Sequence, residues 1–325
     1  MNLRIVMAMD SEFSEAGEII APPHLSPGDD IRVIAPASAP DMKNLSKTIA
    51  RLSKLGYRVS LGRNIRRLVQ RNSLAAPMRE RAQEIMEAFQ DDSVKAIVCA
   101  RGGYGSIHVL PFLDYDLIKS HPKIFMGYSD ITALHMAFNK LSGLITFHGP
   151  MAASDPDEFH KSSFKLLVDI LNGQSSDISG FVENVVKYIH KGKVVGRSIG
   201  TNISVAISLI GTPYMPSTAG RILFAEDTAI TSGDLDRYFS VLNLTGYLQE
   251  FAGFAFGEFK QINSNEEPMP YIEDIIQQYM DQLKKPSIYG LPFGHGEDQM
   301  LIPLNAKMSI SSEKPYVTLE QDIVN

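Results

Sequence analysis

The sequence predicts an α/β protein in two parts, the first built on a mostly parallel, doubly wound sheet. Three observations predict it. Short apolar runs alternate with stretches of helical spacing over the first 150 or so residues. Glycine-rich turns follow two of those runs, and the pattern shifts to longer β-branched segments beyond about residue 173. At 325 residues the chain also exceeds the usual size of one hydrophobic core.

The elements follow in order. DDIRVIAPAS reads as a first strand with Ile31, Val33 and Ile34 apolar, ending in a loop. The stretch from about Leu45 to Leu55 has helical spacing, and Gly56 ends it as a C-terminal cap. YRVSLG is a second short strand. An amphipathic helix from about Met78 to Phe89 precedes the strand VKAIVCA and the loop RGGYGS. IFMGY is a further buried strand, and TALHMAFNKL the helix after it. Doubly wound sheets bind ligands at the carboxyl ends of their strands, where RGGYGS and GYSD both fall. The small, polar segment NGQSSDISG reads as a linker, which divides the chain into residues 1–172 and 173–325 with a cleft between them.

Hydrophobic residues at 44% and charged residues at 21% fit an ordinary globular protein, and a net charge of -6 leaves no basic footprint for nucleic acid. Arg63, Arg66, Arg67 and Arg71 cluster, and are read as a solvated face. The opening MNLRIVMAMDSEF is too short an apolar run for a signal peptide, and no segment approaches the ~20 apolar residues of a membrane span. One cysteine, Cys99, excludes an internal disulfide framework, and a cytoplasmic location is expected. Cys99 lies in the apolar run KAIVCA, where a buried thiol is the ordinary use.

Ser129 carries the first chemical signal. An apolar strand, the tight turn Gly127-Tyr128-Ser129-Asp130 and a helix follow one another, as a nucleophile elbow requires. The fit to G-x-S-x-G is incomplete, because Ile131 stands at the last glycine position; a helix N-cap is the bland alternative. A serine hydroxyl needs a base. Of eight histidines, His295 is singled out by GHGEDQ, a glycine-flanked loop after IYGLPF, with His148 in FHGP a second candidate. RILFAEDT places Glu226 and Asp227 at the end of an apolar strand, where a carboxylate is expected to have a partner. RGGYGS matches neither G-x-G-x-x-G nor a P-loop, so no nucleotide cofactor is expected. Asp130, His135, Glu226, His295 and Glu297 lack the spacing of a metal site.

APAS, ARGGYGS, PKIFMGYSDITALH, FHGPM, LIGTPYMP, LFAEDT, GEF at 257–259 and LPFGHGEDQMLIPL occur in the order found in the murein tetrapeptide LD-carboxypeptidases. The chain resembles that family over about residues 25 to 310. The resemblance implies a flavodoxin-like N-terminal domain, a C-terminal β/α domain and a homodimer. It implies a serine triad of Ser129, Glu226 and His295, with an oxyanion hole from the backbone amides of Asp130 and Gly103. No cofactor or metal is implied, and the substrate is a muropeptide losing its terminal D-alanine in cytoplasmic cell-wall recycling. Arg101, Gly102, Tyr104 and Asn202 are the expected substrate-binding residues, Arg101 for a terminal carboxylate or else for a structural ion pair.

The chain departs from the family at Thr201, where many members carry the middle glycine of GGN, and in its long leader before Leu25. A sister branch hydrolyses peptidyl-nucleotide antibiotics of the microcin C type and is expected to set an aromatic side chain, often tryptophan, against the base. This chain has no tryptophan. Two other readings are a non-catalytic two-domain protein closing on a small ligand, disfavoured by a full triad, and an amidotransferase-like enzyme, which needs cysteine at the elbow.

Overall fold

The computed structural model describes residues 15, 17–65, 74–154, 161–182, 186–262, 271–296 and 299–325. Five short strands pair in parallel: β1 (Asp30–Ile34), β2 (Arg58–Leu61), β3 (Val94–Cys99), β4 (Ile124–Gly127) and β5 (Thr146–His148). Their order across the sheet is β2-β1-β3-β4-β5. This is the flavodoxin-like order, whose switch point lies between β1 and β3. Helices α1 (Met42–Lys54), α2 (Met78–Gln90), α3 (Tyr115–Ser120), α4 (Thr132–Leu141) and α5 (Lys161–Leu171) lie between or after these strands. Local chemistry starts α1: the Asp41 carboxylate accepts the backbone N–H groups of Lys43 at 2.8 Å and Asn44 at 3.0 Å.

The second sheet is longer and mixed. It contains β6 (Lys187–His190), β7 (Lys193–Asn202), β8 (Ile222–Ile230), β9 (Gly253–Gln261) and β10 (Ser287–Tyr289). After β11 (Ile302–Leu304), β12 (Lys307–Ser311) and β13 (Val317–Leu319) complete it in the order β13-β12-β7-β8-β9-β10-β6. Its centre, β7 to β10, is parallel. Helices α6 (Ile203–Ile207), α7 (Ser232–Leu244), α8 (Tyr247–Glu250) and α9 (Ile272–Leu283) accompany it. Each sheet draws its strands from one side of residue 173 with a single exception. Strand β11 returns to the first sheet and pairs antiparallel with β5, Ile302 opposite His148. Pro303 is tolerated there because β11 is an edge strand, where a missing N–H breaks no inner ladder.

The sheets meet along a polar seam. The Asn202 N–H at the end of β7 donates to Thr132 Oγ1 at the start of α4 at 3.1 Å. Asn305, fully buried, donates through Nδ2 to Asn139 O at 3.3 Å and Gly143 O at 3.2 Å, while its Oδ1 accepts from Arg221 at 3.0 Å. The segment NGQSSDISG, expected as a linker, is anchored, because Ile178 within it and Phe181 just after it are buried in the core. Arg66, Arg67 and Arg71 of the basic cluster lie outside the described residues, as do residues 1–14 and 16 of the leader; Arg63 pairs with Glu87 at 3.4 Å. Among the described residues no helix is long and apolar enough to cross a membrane.

Beneath β4, Phe125 meets Phe138 edge-on at 4.9 Å between ring centroids, and Phe89 meets Phe138 at 5.6 Å. All three are fully buried, and the Phe125 ring also touches His135 under the turn that follows β4. Phe125→Ala is expected to destabilise the protein by about 3–5 kcal/mol through lost burial and a cavity, read as a lower denaturant midpoint.

Candidate functional site

Strand β4 ends at Gly127, and the chain turns so sharply that Ser129 takes φ 62, a left-handed conformation. Holding a non-glycine residue there costs about 1–3 kcal/mol, and such strain collects at sites that need a side chain thrust out of the sheet. A 3-10 turn over Ser129–Ile131 then leads into α4. The missing last glycine of the elbow pattern has a packing reason. A Cβ on Gly127 would lie 3.1 Å from both Cys99 Cβ and Ile131, so Ile131 fills, fully buried, the room that the bare Gly127 leaves.

Glu226 stands inside β8, opposite Asn202 of β7, rather than at the strand's end as expected; β8 runs on to Ile230 past an irregularity between Ala225 and Asp227. Its carboxylate is completely buried, and Oε2 lies 2.8 Å from His295 Nδ1. With a carboxylate partner, Nδ1 carries the proton and Nε2 is left as the basic nitrogen. Burial pushes the Glu226 carboxyl above its ordinary range, and the hydrogen bond with His295 opposes that shift. The loop carrying His295 is pinned by Gln299, whose Nε2 donates to Gly294 O at 2.5 Å and Gly296 O at 3.2 Å. Gly294 must be small: a Cβ there would sit 3.1 Å from Glu226 Cβ and Oε2.

Ser129 and His295 line one cleft of about 560 Å³, together with Arg101, Gly102 and Gly103. Tyr128 packs edge-on to the His295 ring at 5.1 Å. Gly102 lies so close to the turn that its Cβ would be 3.0 Å from Ser129 Cβ and 3.2 Å from the Asp130 nitrogen. The Asp130 side chain points the other way, accepting the Ser106 N–H at 2.8 Å, which leaves its backbone amide at the start of the turn beside Gly102. Burial raises the Asp130 carboxyl, and the Ser106 hydrogen bonds oppose the rise.

Two expected substrate contacts are engaged elsewhere. Tyr104 is exposed and turns its ring edge-on to His108 at 5.2 Å, outside the cleft lining. Asn202 caps α6, its Oδ1 accepting the Val205 N–H at 3.2 Å while Nδ2 donates to Asp227 at 3.1 Å. Short polar side chains at strand-to-helix junctions satisfy helix ends, and that demand wins here. Thr201 bonds His148: Oγ1 and Nδ1 are 2.6 Å apart, and burial pushes the His148 imidazole well below its ordinary pKa. Arg101 lines the cleft, its Nη1 donating to Ala39 O at 3.3 Å. Among the described residues no three His, Cys, Asp or Glu side chains converge as metal donors, and Glu297 lies outside them. Sequence reading missed Gln299, Met151, Ser154 and Thr228; only Gln299, next to the histidine loop, carries a local signal there.

The chain is similar over most of its length to known proteins. Residues 31–149 match the model of the LD-carboxypeptidase N-terminal domain, and residues 195–310 that of the LD-carboxypeptidase C-terminal domain. The probable murein peptide carboxypeptidase of Bacillus subtilis is 35% identical over 93% of this chain and 95% of its own. The microcin C7 self-immunity protein MccF of Escherichia coli is 28% identical over 76% of this chain and 80% of its own. Among solved structures, the muramoyltetrapeptide carboxypeptidase from Oxalobacter formigenes superimposes with a TM-score of 0.75 at 26% identity, covering 89% of this chain and 97% of its own.

Gly102→Ala is expected to lower kcat on the order of 10²-fold without unfolding the protein, because the new methyl presses on Ser129 and the Asp130 amide. Steady-state kinetics beside a thermal unfolding scan checks it.

Proposed function

The chain belongs to the LD-carboxypeptidase family, and from that premise we propose that it is a serine carboxypeptidase removing the terminal D-alanine of a murein tetrapeptide. The observation that carries the serine-peptidase reading is the 2.8 Å bond between Glu226 and His295 at the wall of the cleft that Ser129 lines.

In this reading His295 Nε2 takes the proton from Ser129 as its Oγ attacks the scissile carbonyl. Glu226 holds the ring and stabilises the imidazolium. The backbone N–H groups of Gly103 and Asp130 receive the oxyanion, and His295 then protonates the departing amine. Water reverses the sequence and frees Ser129. Arg101, at the cleft edge, is suited to the terminal carboxylate of the substrate, which makes the reaction exopeptidic. Fixed oxyanion donors and nucleophile set one approach to the carbonyl. Inverting the neighbouring centre moves its side chain from its pocket, which disfavours D,D-peptides. We place the reaction in cytoplasmic cell-wall recycling, performed by a homodimer.

The similarity to the microcin C7 self-immunity protein supports a second reading, cleavage of a peptidyl-nucleotide antibiotic. The absence of tryptophan from the chain favours the first. The deciding comparison is kcat/KM on a tetrapeptide ending in D-alanine, a pentapeptide ending in D-Ala-D-Ala and an aminoacyl-sulfamoyl nucleotide. The tetrapeptide is expected to be preferred, and a tenfold or greater preference for the nucleotide would select the second reading. Ser129→Ala is expected to lose on the order of 10⁴-fold or more in kcat on the preferred substrate while remaining folded.

kcat/KM is expected to fall on the acid side as the Glu226–His295 pair gains a proton, with an apparent value that belongs to the pair. Since burial raises the Glu226 carboxyl, the fall starts above the pH at which an exposed carboxylate titrates, about 4.3. Glu226→Gln removes the charge that holds and stabilises the imidazolium, and kcat is expected to drop by about 10²–10⁴-fold. A pH profile of the wild type and steady-state kinetics of the variant check the two effects.

A further inference from the structure

Helix α2 carries two charged residues on its apolar stripe. Arg81 and Glu84 are buried beside Ala82, Ile85, Ala88 and Phe89, and none of them touches the cleft. A buried guanidinium is costly and persists where several acceptors surround it. Arg81 has three. Its Nε donates to Ala76 O at 2.9 Å, and its Nη1 donates both to Gly105 O at 2.8 Å and to Pro36 O. Glu84, one turn on, accepts the Ala35 N–H at 3.0 Å and the Asn64 N–H at 2.7 Å.

Three of these bonds, those with Pro36 O, Ala35 N–H and Gly105 O, converge on two turns. Ala35–Ser38 follows β1, and Gly102–Gly105 follows β3, so the turns flank the switch point of the first sheet. They touch directly: the Ser38 N–H donates to Gly102 O at 3.1 Å, and a Cβ on Gly103 would be 2.9 Å from Ser38 Cβ. The far side of the second turn is tied to the nucleophile turn, because Ser106 Oγ donates to Asp130 O and the Ser106 N–H donates to the Asp130 carboxylate at 2.8 Å.

We propose that Arg81 is a positioning residue for the oxyanion site: from α2 it locks the Ala35–Ser38 and Gly102–Gly105 turns together, while Ser106 fastens the second turn to Asp130, so that the amides of Gly103 and Asp130 aim at one point. The proposal rests on the serine-peptidase reading above. Arg81 never meets substrate. Its planar fork reaches carbonyls of three separate segments at once, which an ammonium on a single stem does not.

The test compares wild type with Arg81→Lys and Ser106→Ala. Arg81→Lys keeps the charge and loses the fork. It is expected to lower kcat on the order of 10²-fold, as a displacement near 1 Å does, with KM within about threefold. Phosphonylation of Ser129 by a fluorophosphonate, counted per folded molecule by mass spectrometry, is expected to slow in parallel, because the same amides stabilise the phosphoryl oxygen. A residue needed only for stability lowers the unfolding midpoint but leaves that rate unchanged. Ser106→Ala makes a smaller cut in the same device, and about tenfold slower turnover and labelling is expected; it carries the test alone if Arg81→Lys does not fold. Labelling within threefold of wild type in the folded variants overturns the proposal, as does a raised KM at unchanged kcat. Labelling needs no peptide, so a wild type that is labelled yet ignores the tetrapeptide fails the substrate reading while the device is still read. A wild type never labelled at Ser129 overturns both.

Discussion

Ser129 and His295 are delivered by different sheets, so the site exists only while the two sheets keep their register. The seam that fixes it is short. The Asn202 N–H bonds to Thr132, three positions after Ser129, and Asn202 lies opposite Glu226 in the parallel ladder of β7 and β8. That hydrogen bond links the helix after Ser129 to β7, and the ladder carries the register on to β8, which holds Glu226. The apolar clusters add the larger share of cohesion, since each takes side chains from both sheets: Phe125 and Phe138 share one with Phe254 and Phe256. Directionality comes from the polar seam, and strength from burial.

Burial also sets the electrostatics. Glu84, Asp130 and Glu226 are all pushed above the ordinary carboxylate range by desolvation, and each is drawn back by the hydrogen bonds it accepts. In such surroundings a charge acts more strongly on its neighbours than in water. The three serve different ends. Glu226 faces an imidazole, whereas Asp130 accepts the backbone N–H of Ser106, and Glu84 those of Ala35 and Asn64. The N–H groups so engaged are not free for a ligand; these bonds hold the backbone that carries them in place.

The parallel sheet was legible because its signals are local. The runs around Val33, Val98 and Phe125 are short, apolar and bounded by turns, and the helices between them have clear spacing. Ser129 was legible for the same reason, since strand, turn and helix are contiguous. The partnership of Glu226 and His295 spans 69 residues, and a strand-end carboxylate, a glycine-flanked histidine and the run of family motifs pointed to it together. Three features resisted reading. The return of β11 to β5 depends on which edge is left open, not on anything in Ile302–Leu304 itself. Asn202 and Tyr104 were expected to hold substrate, but helix capping takes the one side chain and an edge-on contact with His108 the other. Arg81 and Glu84 broke the apolar stripe of their helix, a signal that marks a buried polar network without saying what it holds.

Strand β11 gives the folding of the nascent chain an order. The parallel strands of the first sheet are all synthesised by His148, yet the edge of β5 stays open until Ile302–Leu304 emerges. That interval is 302 minus 148, or 154 residues, which at ~5–20 residues per second leaves the edge bare for roughly 8–30 s. For that time β5 is a template for any passing strand, and His295, encoded in the same late stretch, has not yet met Glu226. Closure of the β5 edge and the meeting of His295 with Glu226 therefore arrive almost together.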